Sequence, residues 1–165
     1  VPSPGLRRGA GVLAGLVLVQ IYLGGLVAGL DAGLASNTWP LMNGAMIPEG
    51  LFEIAPAWRN FFENELTVQF VHRLGGYVLF ALSLWHMVAA LQRGRGTTHC
   101  RRAVLLFAVI TVQAMIGVVV VLTQVPVGWA LLHQGWAIVV LGFAVAHWRG
   151  FHGAYQMELE VRVRN

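Results

Sequence analysis

The sequence predicts an all-α integral membrane protein, a four-helix bundle, and three observations carry that prediction. Only 11% of the 165 residues are charged while 57% are apolar, against about a quarter charged in an ordinary soluble domain. The runs Gly9–Leu30, Leu66–Leu91, Ala103–Leu122 and Val127–Trp148 are each long and apolar enough to cross about 30 Å of hydrocarbon, which takes about 20 helical residues. None alternates apolar and polar residues as a barrel strand must, so the spans are read as helices whose backbone groups are satisfied internally. A single domain over residues 1–165 accounts for the chain, with the lipid bilayer as its solvent.

The first span is preceded by Val1-Pro2-Ser3-Pro4 and by Arg7 and Arg8. The chain starts without methionine, and its first apolar run is too long for a signal-peptide core and lacks a convincing cleavage site, which agrees with a piece of a longer protein. Gly25, Gly29 and Gly33 repeat every fourth residue, a small-residue face suited to close helix packing. Gln20 precedes Gly24 by four residues, and Gln113 precedes Gly117 by four in the third span. The match hints at two related helix pairs, spans one and two with spans three and four.

The first connection, Asp31 to Glu65, runs through Asn37-Thr38-Trp39-Pro40 and Ile47-Pro48-Glu49 and then Trp58, Phe61 and Phe62. Aromatics at this spacing suit a segment lying on the membrane surface, read equally as a lid over the outer histidine site proposed below or as a plain interfacial loop. The second connection is short and flanked by Arg93, Arg95, Arg101 and Arg102, and the fourth span is followed by Arg149, Arg162 and Arg164. With Arg7 and Arg8, these put most of the arginines on one side, so both termini are expected on the cytoplasmic or matrix side. Charge dispersed along membrane boundaries offers no platform for nucleic acid. The single cysteine, Cys100, reads as an inner-loop residue that excludes an intrachain disulfide and a thiolate cluster.

Ionisable groups inside membrane spans are costly and are functional candidates by default. His72 and His133 each lie six residues into spans that run from outside to inside, so their imidazoles are expected at nearly equal depth. Parallel helices, roughly 8–10 Å apart at direct contact, can present two such rings to one metal from opposite sides. Two neutral imidazoles without a carboxylate or thiolate at that depth suit low-spin haem iron better than zinc, which wants four ligands. Gly75 and Gly76 follow His72 on its own helix face and Gly135 follows His133, leaving room for a porphyrin, and Arg73 is placed to pair with a haem propionate. His86 and His147 lie 14 residues after His72 and His133, roughly 21 Å deeper and on nearly the same faces. A second haem is geometrically open there, as in di-haem cytochromes b, but Trp85 and Trp148 beside them mark a boundary where a polar tip reaches water, the reading preferred here. His99 and His152 read as solvated loop residues.

The run Val27-Ala28-Gly29-Leu30-Asp31-Ala32-Gly33-Leu34, then Asn37-Thr38-Trp39-Pro40-Leu41-Met42, Phe62-Glu63-Asn64, Val68-Gln69-Phe70-Val71-His72-Arg73 and Leu132-His133-Gln134 resembles the C-terminal half of the haem A synthase family. The resemblance covers nearly the whole chain. It implies a membrane enzyme of two similar four-helix halves that oxidises the C8 methyl of haem O to the formyl group of haem A. In that family one half handles substrate haem with a glutamate shortly before a histidine, and the other holds haem b between two histidines. Gln69 stands three residues before His72 here, and an amide cannot exchange protons as a carboxylate can. The resemblance therefore implies the cofactor half, with His72 and His133 as axial ligands of haem b and no catalytic residue of its own. The family's outer-loop cysteine pair is absent from this half. Substrate haem O would be handled by a partner half or second subunit, with a homo- or heterodimer as one arrangement, in a bacterial inner membrane or a mitochondrial one. Two other functions remain open: a self-contained b-type cytochrome for electron transfer, and a helical membrane protein without a cofactor.

Overall fold

The computed structural model describes the backbone of residues 3–164 and the side chains of residues 3–152; the side chains of Arg162 and Arg164 therefore lie outside the described residues. The long helices are α1 (Pro4–Gly29), α3 (Glu65–Gly94), α4 (Thr98–Leu122) and α5 (Val127–Arg164), with a single turn α2 (Asn60–Glu63) in the first connection. Among the described residues, four segments are long and apolar enough to cross a membrane: Pro4–Gly29, Glu65–Gly94, Thr98–Leu122 and Val127–His152. The chain is an all-α integral membrane protein.

Three helices begin earlier than their apolar runs because a polar residue caps each one. Ser3 Oγ accepts from Leu6 N–H at 3.3 Å ahead of Pro4, whose missing N–H costs nothing in a first turn. Asn64 Oδ1 accepts from Thr67 N–H at 3.0 Å, and Thr97 Oγ1 accepts from Cys100 N–H at 3.2 Å. Cys100 consequently stands in the first turn of α4 and is buried, not in a loop.

Helix α1 packs on α3 and α5, and α4 packs on the same two. The two parallel helices α3 and α5 thus face each other across the diagonal of the bundle. A central apolar layer is built from Leu13, Val17, Leu79, Leu106, Ile110 and Val140, and a second cluster from Leu6, Ala10, Ala90, Ala103 and Phe151 at the end of the bundle where α1 begins and α3 gives way to α4, labelled inner against the outer end that carries the long connection. Leucine, isoleucine and methionine side chains such as Leu18, Met115, Leu131 and Ile138 point outward. In water such a surface would mark a binding face, and in a bilayer it is the solvated one.

The expected glycine face on α1 does not pack in this way. Gly25 and Gly29 face open space, and Gly33 lies beyond the helix in a 3-10 turn, Ala32–Leu34, against Val125. Asp31, with φ of 52°, turns the chain out of α1 and breaks the four-residue repeat. The close approaches run through Gly9, Gly24 and Gly117, each of which meets a histidine ring.

Candidate functional site

Two histidine pairs span the diagonal, one on each side of the central apolar layer. In the outer pair the ring centroids of His72 and His133 are 6.5 Å apart with planes at 84°. Both rings are half-buried. Gln20 on α1 donates from Nε2 to the backbone carbonyl of His72 at 2.8 Å, and its Nε2 lies 3.1 Å from Nδ1 of the ring. Gln113 on α4 donates to the backbone carbonyl of His133 at 3.0 Å. A Cβ on Gly24 would sit 3.3 Å from the His72 ring, and one on Gly117 would sit 2.9 Å from the His133 ring. Nδ1 of His133 and Oε1 of Gln113 are buried without a partner, a deficit that a folded protein normally fills.

The inner pair is built differently. Nε2 of His86 and Nε2 of His147 are 2.8 Å apart and share a hydrogen bond, with ring centroids at 5.1 Å. The two residues are 3% and 1% exposed, so the expectation of polar tips reaching water is corrected. Gly9 makes the space for His86, where a Cβ would lie 2.8 Å from Nδ1, and Phe151 packs edge-on to His147. With these apolar neighbours close in, the two Nε2 atoms satisfy one another, while Nδ1 of His147 is buried without a partner. His99, expected to be solvated, stacks on Phe151 at 4.3 Å and is half-buried, whereas His152 is exposed.

Above the outer pair, the chain just after α1 is strapped down by side chains from α3. Gln69, 2% exposed, donates from Nε2 to the carbonyls of Gly33 and Ser36, both at 3.0 Å. Arg73 donates to the carbonyls of Thr38 and Ser36 at 2.8 and 2.7 Å, and its Nε–H has no partner. Asn37 ties the strap to α4 through the carbonyl of Val121 at 3.0 Å. Gly75 and Gly76 lie against the Gln20 amide, and Gly135 faces open space. Further along the connection Asn60 is fully buried and holds Ile54 from both its amide ends, while Trp39, Trp58, Phe61 and Phe62 remain exposed.

The donor set of the outer pair fits an iron between two imidazoles. A metal–imidazole bond is about 2 Å long, so two rings on opposite sides of one metal put their nitrogens about 4 Å apart and their centroids roughly 6 Å apart; the observed separation is 6.5 Å. The inner nitrogens, at 2.8 Å, are too close. No third histidine, cysteine or carboxylate joins either pair as a metal cluster among the described residues, which argues against zinc at the outer pair.

Fold and site together define a helical membrane protein that carries paired histidines at its bundle diagonal. Comparison with known proteins makes the assignment specific. The sequence profile of the family described as Cytochrome oxidase assembly protein matches residues 2–145. The chain is 63% identical over 156 residues to the Heme A synthase of Rhizobium meliloti (strain 1021), covering 94% of this chain and 42% of that protein. It is 61% identical over 163 residues to the Heme A synthase of Sinorhizobium medicae (strain WSM419), covering 99% and 44%. The chain belongs to the haem A synthase family, and it spans less than half the length of these curated relatives, 42% and 44%.

Proposed function

We propose that this chain is the cofactor-holding half of a haem A synthase, an oxidoreductase that converts the C8 methyl of haem O to the formyl of haem A. The observation that carries the reading is the 6.5 Å between the His72 and His133 rings, which would let both imidazoles hold one iron. The names and lengths of the relatives support it. Bound haem b would supply one-electron exchange at its iron.

The chain's own residues would do the following. His72 and His133 hold the iron from α3 and α5, and Gly24 and Gly117 let the rings lie close against α1 and α4. Gln69 serves as a double donor to the strap carbonyls, a job a carboxylate cannot do, and it moves no proton. The proton chemistry on substrate haem O then falls to a partner half or a second subunit, in a homo- or heterodimer. Arg73 holds the strap and keeps unused N–H donors, Nε among them, for a propionate. The arginines around the short inner connection put both termini on the cytoplasmic side of a bacterial inner membrane.

The test is a haem count with an absorption spectrum on the purified chain reconstituted with haem b. One low-spin haem per chain is expected. Two per chain would favour the self-contained cytochrome, and none would sink the haem reading.

A further inference from the structure

We infer that Gln20 and Gln113 are positioning residues for the outer histidines, each setting the height and rotation of one ring through a bond to that histidine's own backbone carbonyl. This rests on the haem reading above. The two contacts repeat one another: the first helix of each hairpin sends a glutamine Nε2–H to the carbonyl of the histidine on the second helix, at 2.8 Å for His72 and 3.0 Å for His133. In both cases the residue four positions after the glutamine is the glycine that receives the imidazole.

A helical carbonyl already accepts one bond from within its helix and has a second lone pair free. Each glutamine uses that lone pair and leaves the helical ladder intact. In lipid no hydrophobic force sets the register between helices, so interhelical polar bonds and small-residue contacts do. The bond therefore sets how deep the histidine sits, and the glycine sets how near the ring lies to the neighbouring helix. Gln20 Nε2 also approaches His72 Nδ1 at 3.1 Å, and Gln113 Nε2 approaches the His133 ring at 3.5 Å. These are bonds in one imidazole tautomer and mere contacts in the other, whereas the carbonyl bonds hold in both. Gly75 and Gly76 complete the arrangement on one side, because a Cβ at Gly75 would run into Gln20 Oε1. The 84° between the ring planes belongs to this arrangement: the carbonyl bonds fix where each backbone stands, and the glycine and amide contacts limit how each ring turns.

The test uses the full chain in detergent, loaded with haem b, with Gln20→Leu, Gln113→Leu, Gln20→Glu and Gln113→Glu. Leucine removes the donor at similar volume, and a carboxylate turns it into an acceptor facing another acceptor. Outer partners of metal-bound histidines typically govern about 10- to 100-fold of affinity, so each variant should hold haem at least about tenfold more weakly. The low-spin electron paramagnetic resonance signal is sensitive to the angle between axial rings. It should be strongly anisotropic in the parent, as near-perpendicular rings require, and shift toward an ordinary rhombic form in the variants. Trp136→Phe removes another side-chain-to-carbonyl bond between α4 and α5, Trp136 Nε1 to Val109 at 2.9 Å, and should change neither readout. Unchanged affinity and signal in the glutamine variants, or an equal change in Trp136→Phe, would overturn the inference while leaving the haem reading intact. A parent chain that binds no haem overturns both.

Discussion

The outer and inner histidine pairs have the same residue types, the same host helices and the same 14-residue spacing, yet they differ in what they can still bind. The inner imidazoles are closed on one another at 2.8 Å and walled in by Gly9 and Phe151. The outer imidazoles stand apart, with ring centroids 6.5 Å from one another, cradled by Gly24 and Gly117; an unbonded buried Nδ1 is common to His133 and His147. A buried imidazole that has met its partner is a bolt between helices. One that stands 6.5 Å from its partner, centroid to centroid, leaves the gap that the proposed haem site calls for. The neighbours differ too: glutamines on α1 and α4 donate to the backbone carbonyls of the outer histidines, and no such bond exists at the inner pair among the described residues.

The comparison breaks most easily by removing imidazoles one at a time. His72→Ala or His133→Ala should lower haem affinity by more than about 100-fold, since outer partners alone are worth about 10- to 100-fold, and residual haem should turn high-spin. His86→Ala or His147→Ala should leave haem content unchanged and lower stability by about 2–4 kcal/mol, from a cavity and an orphaned buried nitrogen. Replacing both inner histidines with leucine should recover much of that loss, because no polar group is then stranded. Haem titration beside denaturant unfolding in detergent reads both effects, and loss of haem from an inner variant would erase the distinction.

A smaller effect tests the packing around the inner pair. Gly9→Ala places a methyl 2.8 Å from His86 Nδ1 and should destabilise by about 1–3 kcal/mol. Gly25→Ala, where a Cβ meets nothing, should be neutral or stabilising by up to about 1 kcal/mol. A cost at Gly25 equal to that at Gly9 would show that the α1 glycines pack on something other than this bundle.

The smallest effect lies outside both pairs and serves as their control. Arg59 and Glu63 form an exposed ion pair on the outer connection, with Arg59 Nε 3.0 Å from Glu63 Oε1. The hydrogen bond from Arg59 holds the Glu63 carboxyl below its ordinary range. Its contribution is therefore present above the carboxyl's unfolded value and is lost as pH falls through the lower folded one. Being exposed, it is screened by salt. Glu63→Gln should flatten the acid side of a stability titration slightly at low salt and leave haem affinity untouched; a change in haem affinity would tie the outer connection to the histidines.

Much of the site is legible in the sequence because depth in a membrane is nearly a matter of counting. Six residues into each of two spans placed His72 and His133 together, and Gln20-x-x-x-Gly24 and Gln113-x-x-x-Gly117 already marked a repeat. What the repeat was for could not be read, since a glutamine four residues before a glycine says nothing of the carbonyl it will meet on another helix. The same blindness put His86 and His147 at water's edge, because neighbouring tryptophans mark a boundary and say nothing about whether two rings point at each other. The four-residue glycine run after Gly25 looked like a packing face because periodicity counts residues and does not see Asp31 turning the chain.

The sequence by itself determined the class, the number of the spans and the equal depth of the histidines, since the cost of burying backbone polar groups and charges in hydrocarbon leaves few alternatives. It also determined the family. Only the tertiary structure decided which histidines touch, which glycines take a ring, and that Gln69 and Arg73 hold a strap of backbone carbonyls. Those outcomes depend on the rotation of each helix about its axis, and in a bilayer that rotation is set by polar bonds and close contacts between helices, which are properties of pairs of segments and of no segment alone.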